Sequence, residues 1–106
     1  MADSAAIETA RFEWADAGEA LDREPDTARR RALADQVELV VAELRRRVGG
    51  TYTIAELADA YADADRWTRV ALSEAEDVPA WWPETLTLVQ AAAFERYALG
   101  AVDYAP

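Results

Sequence analysis

The chain has 106 residues, with 21 acidic against 11 basic residues and a formal net charge of -10. Its length suits one small domain, and its content of 52% hydrophobic and 30% charged residues is typical of a folded globular protein. It has no Cys and no His, and all 11 basic residues are Arg, which excludes thiol chemistry, His-based acid–base or metal chemistry and Lys Schiff bases. We therefore expect no enzyme, no catalytic or cofactor-binding residue and no metal site.

Nothing in the sequence indicates a membrane protein. No apolar stretch approaches the ~18 residues that a membrane-spanning helix needs. Residues 1–11 carry acidic side chains before the first Arg and contain no apolar region like that of a signal peptide. These observations predict a cytoplasmic protein that does not bind membranes.

The first half of the chain predicts two helices that form an antiparallel pair. Helix one is expected from about Ser4 to Arg23, and Pro25 prevents it from continuing. Asp26 or Thr27 is expected to cap helix two, which ends at the glycines that follow Val48. Apolar residues recur at spacings of three and four in both helices: Ile7, Ala10, Trp14, Ala17 and Leu21, then Leu33, Val37, Val40, Leu44 and Val48.

The second half predicts two further helices. A Thr53–Glu56 capping box opens helix three, and the β-like run at residues 51–54 is too short to build a sheet. Apolar positions change sides after Asp63, so this helix either buries two faces or bends near residues 63–65. Pro83 is expected in the first turn of helix four. Its apolar positions are Leu86, Val89, Ala93 and Tyr97. The prediction is an all-α, four-helix bundle forming one domain over residues 1–106, with a tail at 101–106.

Charge is unevenly distributed along the chain. Residues 1–28 carry a net charge of -6, residues 29–47 carry +3 and residues 48–106 carry -7. The triplet at 45–47 complements the dipole at the end of helix two, whereas Arg29, Arg30 and Arg31 oppose it at the start. Either these arginines pair with neighbouring acids, or they bind phosphate. The second alternative predicts a nucleic-acid-associated regulator, but nucleic-acid binders normally carry a basic field over the whole domain.

Four tryptophans divide into two groups. Trp14 and Trp67 lie among the regularly spaced apolar residues of their helices, which we call the seams, and are predicted to be core residues. Trp81 and Trp82 lie between Pro79 and Pro83, where two adjacent rings do not easily enter one core. Exposed Trp is enriched at protein interfaces, although one of the rings can instead plug the end of the bundle while the other covers it. The predicted partner-binding residues are Trp81, Trp82, Arg29, Arg30, Arg31 and Tyr104.

Residues 46–61, Arg-Arg-Val-Gly-Gly-Thr-Tyr-Thr-Ile-Ala-Glu-Leu-Ala-Asp-Ala-Tyr, and the stretch 82–104 resemble a group of small uncharacterised helical proteins from actinobacteria. The resemblance implies a soluble intracellular protein and carries over no functional residue. Together with the residue analysis, it favours a small, acidic, non-enzymatic module that binds another protein. Seams on helices one and two also allow a homodimer.

Overall fold

A computed structural model describes residues 3–102. Five helices follow one another along this part of the chain: α1 Ser4–Asp22, α2 Thr27–Arg47, α3 Ile54–Ala62, α4 Ala64–Glu74 and α5 Trp82–Ala98. Residues 3–102 contain no strand, which confirms the all-α prediction. None of the helices in this range is both long and apolar enough to cross a lipid bilayer.

Local signals in the sequence place the helix ends. The Asp26 side chain accepts hydrogen bonds from the backbone N–H groups of Ala28 and Arg29, at 3.0 and 3.2 Å. Thr53 and Glu56 form both halves of the predicted capping box at the start of α3. Gly49 adopts a φ of 91° just after α2, a conformation that costs a residue with a Cβ free energy. The predicted caps are therefore confirmed.

The helix predicted after Thr53 is two helices. It ends at Ala62, and Asp63 (φ -110°, ψ 5°) separates it from α4. Before the break Leu57 and Ala58 are buried, and after it Ala64 and Trp67 are buried. On one straight helix, the apolar side chains of the two halves would point in different directions. The break at Asp63 changes the direction of the chain, so that both halves pack on the core. It also makes the helix count five instead of the predicted four.

Helix α5 is the centre of the fold. It contacts all four other helices, and it buries consecutive residues from Ala91 to Phe94 as well as the predicted seam. A helix that is apolar around most of its circumference is expected to be surrounded by protein. By contrast, α1 contacts α5 and α3 more extensively than it contacts α2. The predicted α1–α2 pair is therefore not the principal packing of either helix.

Aromatic rings fill the middle of the core. The Phe94 ring lies 5.6 Å from the Trp14 ring, 4.9 Å from the Tyr61 ring and 6.2 Å from the Trp67 ring, measured between centroids. Trp14 is fully buried and Trp67 is 7% exposed. The prediction that both tryptophans belong to the core is confirmed. This cluster joins α1, α3 and α4 to α5.

Candidate functional site

The Arg29 side chain makes contacts within the chain. Its guanidinium carbon lies 4.5 Å from the centroid of the Trp81 ring, and its Nε lies 3.6 Å from a Glu24 carboxylate oxygen. Trp81 is half-buried and packs against the edge of the core. A cation over the face of an indole ring is attracted by the ring quadrupole. This contact gives a structural reason for a basic residue at the start of α2, where the helix dipole disfavours one.

The remaining predicted partner-binding residues are less closely grouped. Arg30 donates a hydrogen bond to the Glu24 carbonyl oxygen at 2.7 Å. Arg31 is exposed and forms no ion pair with another residue in the range 3–102. Trp82 is half-buried at the first position of α5. Tyr104 lies outside the described residues. Arg29 and Trp81 are therefore brought together, while their binding to a partner stays a prediction.

The second Arg triplet is also engaged internally. Arg46 and Arg47 lie 2.8 and 3.7 Å from carboxylate oxygens of Glu43 on the same helix. The Arg47 guanidinium carbon also lies 4.8 Å from the centroid of the Trp67 ring on α4. Arg29, Arg46 and Arg47 thus pair with the neighbouring acids Glu24 and Glu43, as one of the two alternatives for the triplets predicts.

An acidic groove runs between α1, α3 and α5. It encloses about 550 Å³. Exposed carboxylates of Glu13, Asp16 and Glu84 stand on its rim, and no arginine lines it within the described part of the chain. Among the described residues, the groove is lined by Glu13, Asp16, Ala17, Ala20, Tyr61, Glu84, Thr87, Leu88 and Ala91. We call this surface the acidic groove.

Tyr61 anchors one wall of the acidic groove. Its hydroxyl donates a hydrogen bond to Glu13 Oε2 at 3.1 Å, and its ring packs edge-on against Trp14 in the core. Burial, the negative charge of Glu13 and the hydrogen bond to Glu13 together raise the pKa of Tyr61 to about 12, with burial the largest cause. At neutral pH the phenol is therefore a protonated donor that holds the Glu13 carboxylate at the rim.

An exposed aromatic side chain lies about one turn before Asp16 on α1. Phe12 is 75% exposed and precedes Asp16 by four residues, so the two side chains are neighbours on the surface of α1. Large aromatic side chains account for much of the binding energy at protein interfaces. Phe12 is therefore available to extend the apolar contact area beyond the groove floor.

Sequence reasoning missed the acidic groove. Glu13 and Asp16 lie on α1, Tyr61 on α3 and Glu84 on α5, so no local motif joins them. One signal was present in the sequence: Glu13 and Asp16 precede the predicted apolar position Ala17 on α1 by four residues and by one. Only the packing of α1 and α3 on α5 places Glu84 opposite them.

Among residues 3–102, no three acidic side chains lie close enough together to hold a metal ion. Compared with known proteins, the chain matches no family model, no curated protein and no solved structure.

Proposed function

We propose that this chain is a non-enzymatic interaction module that binds a basic, amphipathic helical segment of another protein in the acidic groove. The observation that carries the proposal is the groove itself, whose small and apolar floor lies beneath three carboxylates with no lining arginine. Partner helices commonly lay an apolar face into such grooves. Lys or Arg residues flanking that face match the charges of the rim.

Charge complementarity favours a basic partner over the alternatives. The chain carries a net charge of -10. Glu24 and Glu43 form ion pairs with arginines at the two ends of α2. A nucleic-acid ligand needs a basic surface to displace counterions from phosphates, so the regulator alternative has little support from these contacts. The regularly spaced apolar residues of α1 and α2, which also allowed a homodimer, are largely buried within the fold, where both helices contact α5, so we place the interaction at the groove instead.

A designed helical peptide tests the proposal. An 18-residue probe with Leu on one face and Lys on the other is titrated into the protein at low salt, and binding is measured by fluorescence anisotropy. We expect the variant Asp16→Arg/Glu84→Arg to weaken binding about tenfold or more. Each exposed pair contributes ~0.2–1 kcal/mol, and reversal replaces two attractions by two repulsions. Raising the salt concentration should weaken binding of the unsubstituted protein in the same direction.

The matched control carries the same change in charge at exposed residues that do not line the groove. Glu8→Arg/Glu74→Arg should bind the Lys probe within about threefold of the unsubstituted protein. A second peptide with Glu in place of every Lys should not bind. Equal losses in the test and control variants, equal binding of the two peptides, or no binding of the Lys probe at low salt would contradict the proposal.

A further inference from the structure

A second groove lies on a different side of the molecule. It runs between the N-terminal half of α2 and residues 75–78, which follow α4, and encloses about 470 Å³. We call it the α2–loop groove. Leu39 and Val78 supply apolar walls, and Gln36 also lines it. It shares no residue with the acidic groove.

The Gln36 side chain has an unused acceptor. Gln36 is 1% exposed, and its amide nitrogen donates only a long hydrogen bond, 3.3 Å, to the Ala32 carbonyl oxygen. Its Oε1 atom is buried and has no hydrogen-bond partner among the described residues. Buried amide oxygens nearly always accept a hydrogen bond. Because Gln36 also lines the α2–loop groove, this groove is the route by which a donor reaches the unpaired oxygen.

The rim of the α2–loop groove offers further acceptors. Asp35, Glu76 and Asp77 are exposed and line it. None of the three forms an ion pair with another residue in the range 3–102. An ionised carboxylate accepts hydrogen bonds but donates none. The charged and polar side chains of this groove therefore favour a ligand that is a cation and a hydrogen-bond donor.

We propose that the α2–loop groove binds a small organic cation with N–H donors on a short alkyl stem, an alkylguanidinium or alkylammonium. The stem lies against Leu39 and Val78, the cationic group lies between the Glu76 and Asp77 carboxylates, and one N–H group donates to Gln36 Oε1. Charge-assisted hydrogen bonds of this kind are stronger than neutral ones. The inference does not depend on the acidic groove, because the two surfaces have no residue in common.

Three probes of similar size separate the contributions of the positive charge, the N–H donors and the alkyl stem to binding. They are n-butylguanidinium, n-butyltrimethylammonium (which keeps the charge and the stem but has no N–H group) and neutral 1-pentanol. Binding is followed by the backbone and side-chain amide resonances in heteronuclear NMR spectra. We expect n-butylguanidinium to shift the Gln36 side-chain amide resonances and the backbone resonances at 35–39 and 75–78. It should bind about tenfold more tightly than the other two probes.

Two variants test the assignment of residues. Gln36→Leu keeps the side chain buried and removes the acceptor, so it should weaken binding of n-butylguanidinium about tenfold and leave n-butyltrimethylammonium unaffected. Glu76→Gln/Asp77→Asn changes only exposed residues and should weaken binding of both cations. The matched control, Asp16→Asn/Glu84→Gln, removes the same charge from the acidic groove and should change neither affinity. It should, however, weaken binding of the Lys peptide.

Several results would overturn this assignment. Equal affinity for the two cations would remove the role of Gln36 Oε1, and shifts centred elsewhere would remove the groove. If an acetylated and amidated Gly-Arg-Gly peptide binds more tightly than n-butylguanidinium, the natural ligand is a protein side chain and not a small molecule. Failure of these tests leaves the Lys-peptide result at the acidic groove unaffected, so the two proposals can fail separately.

Discussion

The contact between Arg29 and Trp81 predicts a measurable coupling within the fold. Trp81→Ala removes a half-buried ring that packs on the edge of the core. Loss of a fully buried Trp costs about 3–5 kcal/mol, so we expect about 2 kcal/mol here. Of this, about 0.5–1 kcal/mol should depend on the Arg29 guanidinium, whose carbon lies 4.5 Å from the ring centroid and which remains partly exposed.

A double-mutant cycle isolates the coupling free energy between Arg29 and Trp81. Urea unfolding, followed by circular dichroism, is measured for the unsubstituted protein, Arg29→Ala, Trp81→Ala and the double variant. We expect the double variant to be more stable, by about 0.5–1 kcal/mol, than the sum of the single losses predicts.

The neighbouring residue Trp82 provides the control. A second cycle between Arg29→Ala and Trp82→Ala should give a coupling close to zero, because the guanidinium of Arg29 lies over the Trp81 ring and not over the Trp82 ring. If the two cycles give the same coupling, Arg29 does not specifically stabilise the Trp81 ring. The prediction that Arg29 and Trp81 bind a partner would then be the remaining explanation of the pair. If only the Arg29–Trp81 cycle couples, the arginine at the start of α2 has a structural function.

Three further predictions concern backbone, ionisation and surface. Gly49→Ala should destabilise the fold by about 1–2 kcal/mol, because Gly49 has a φ of 91°; Gly50→Ala, with no heavy atom within 4 Å of the added Cβ, should change the urea midpoint little. Tyr61→Phe should remove the tyrosine that ionises near pH 12 from a titration of absorbance at 295 nm. Because the unfolded phenol ionises near pH 10 and the folded one near 12, the stability from Tyr61 is complete below pH 10 and is lost as the pH rises toward 12. Phe12→Ala, at a 75% exposed residue, should change the free energy of unfolding by less than about 0.5 kcal/mol but weaken binding of the Lys peptide at least about threefold.

The sequence predicted the helix ends well because a helix end is set by residues close to it in the sequence. The hydrogen bonds that cap α2 and α3 come from Asp26, Thr53 and Glu56, each within three residues of the group it satisfies. The break at Asp63 was one of two alternatives that the pattern left open. Asp63 provides no side-chain cap for α4, so the break follows from burial of both apolar faces, which is a tertiary effect.

Packing between helices was harder to predict than the helices themselves. The heptad-like seams of α1 and α2 suggested that each helix was the partner of the other, because a seam shows that a face is buried but not what covers it. The covering element is α5, whose predicted seam included Leu86 and Val89 but not the buried Ala91 and Ala92. Alanine gives a weak hydrophobic signal, so the central position of α5 was not visible in its periodicity.

The arrangement of charge explains why both grooves are acidic. Arginines on α2 are held by Glu24 and Glu43, and Arg66 and Arg69 pair with Asp63 and Asp65 on their own helix or at its start. The carboxylates that remain on the groove rims have no cation opposite them in the described part of the chain. Pairing of these arginines within the chain leaves negative charge on the groove rims. Such a surface favours a cationic ligand over phosphate, so salt should weaken the proposed peptide binding at one groove and the proposed cation binding at the other.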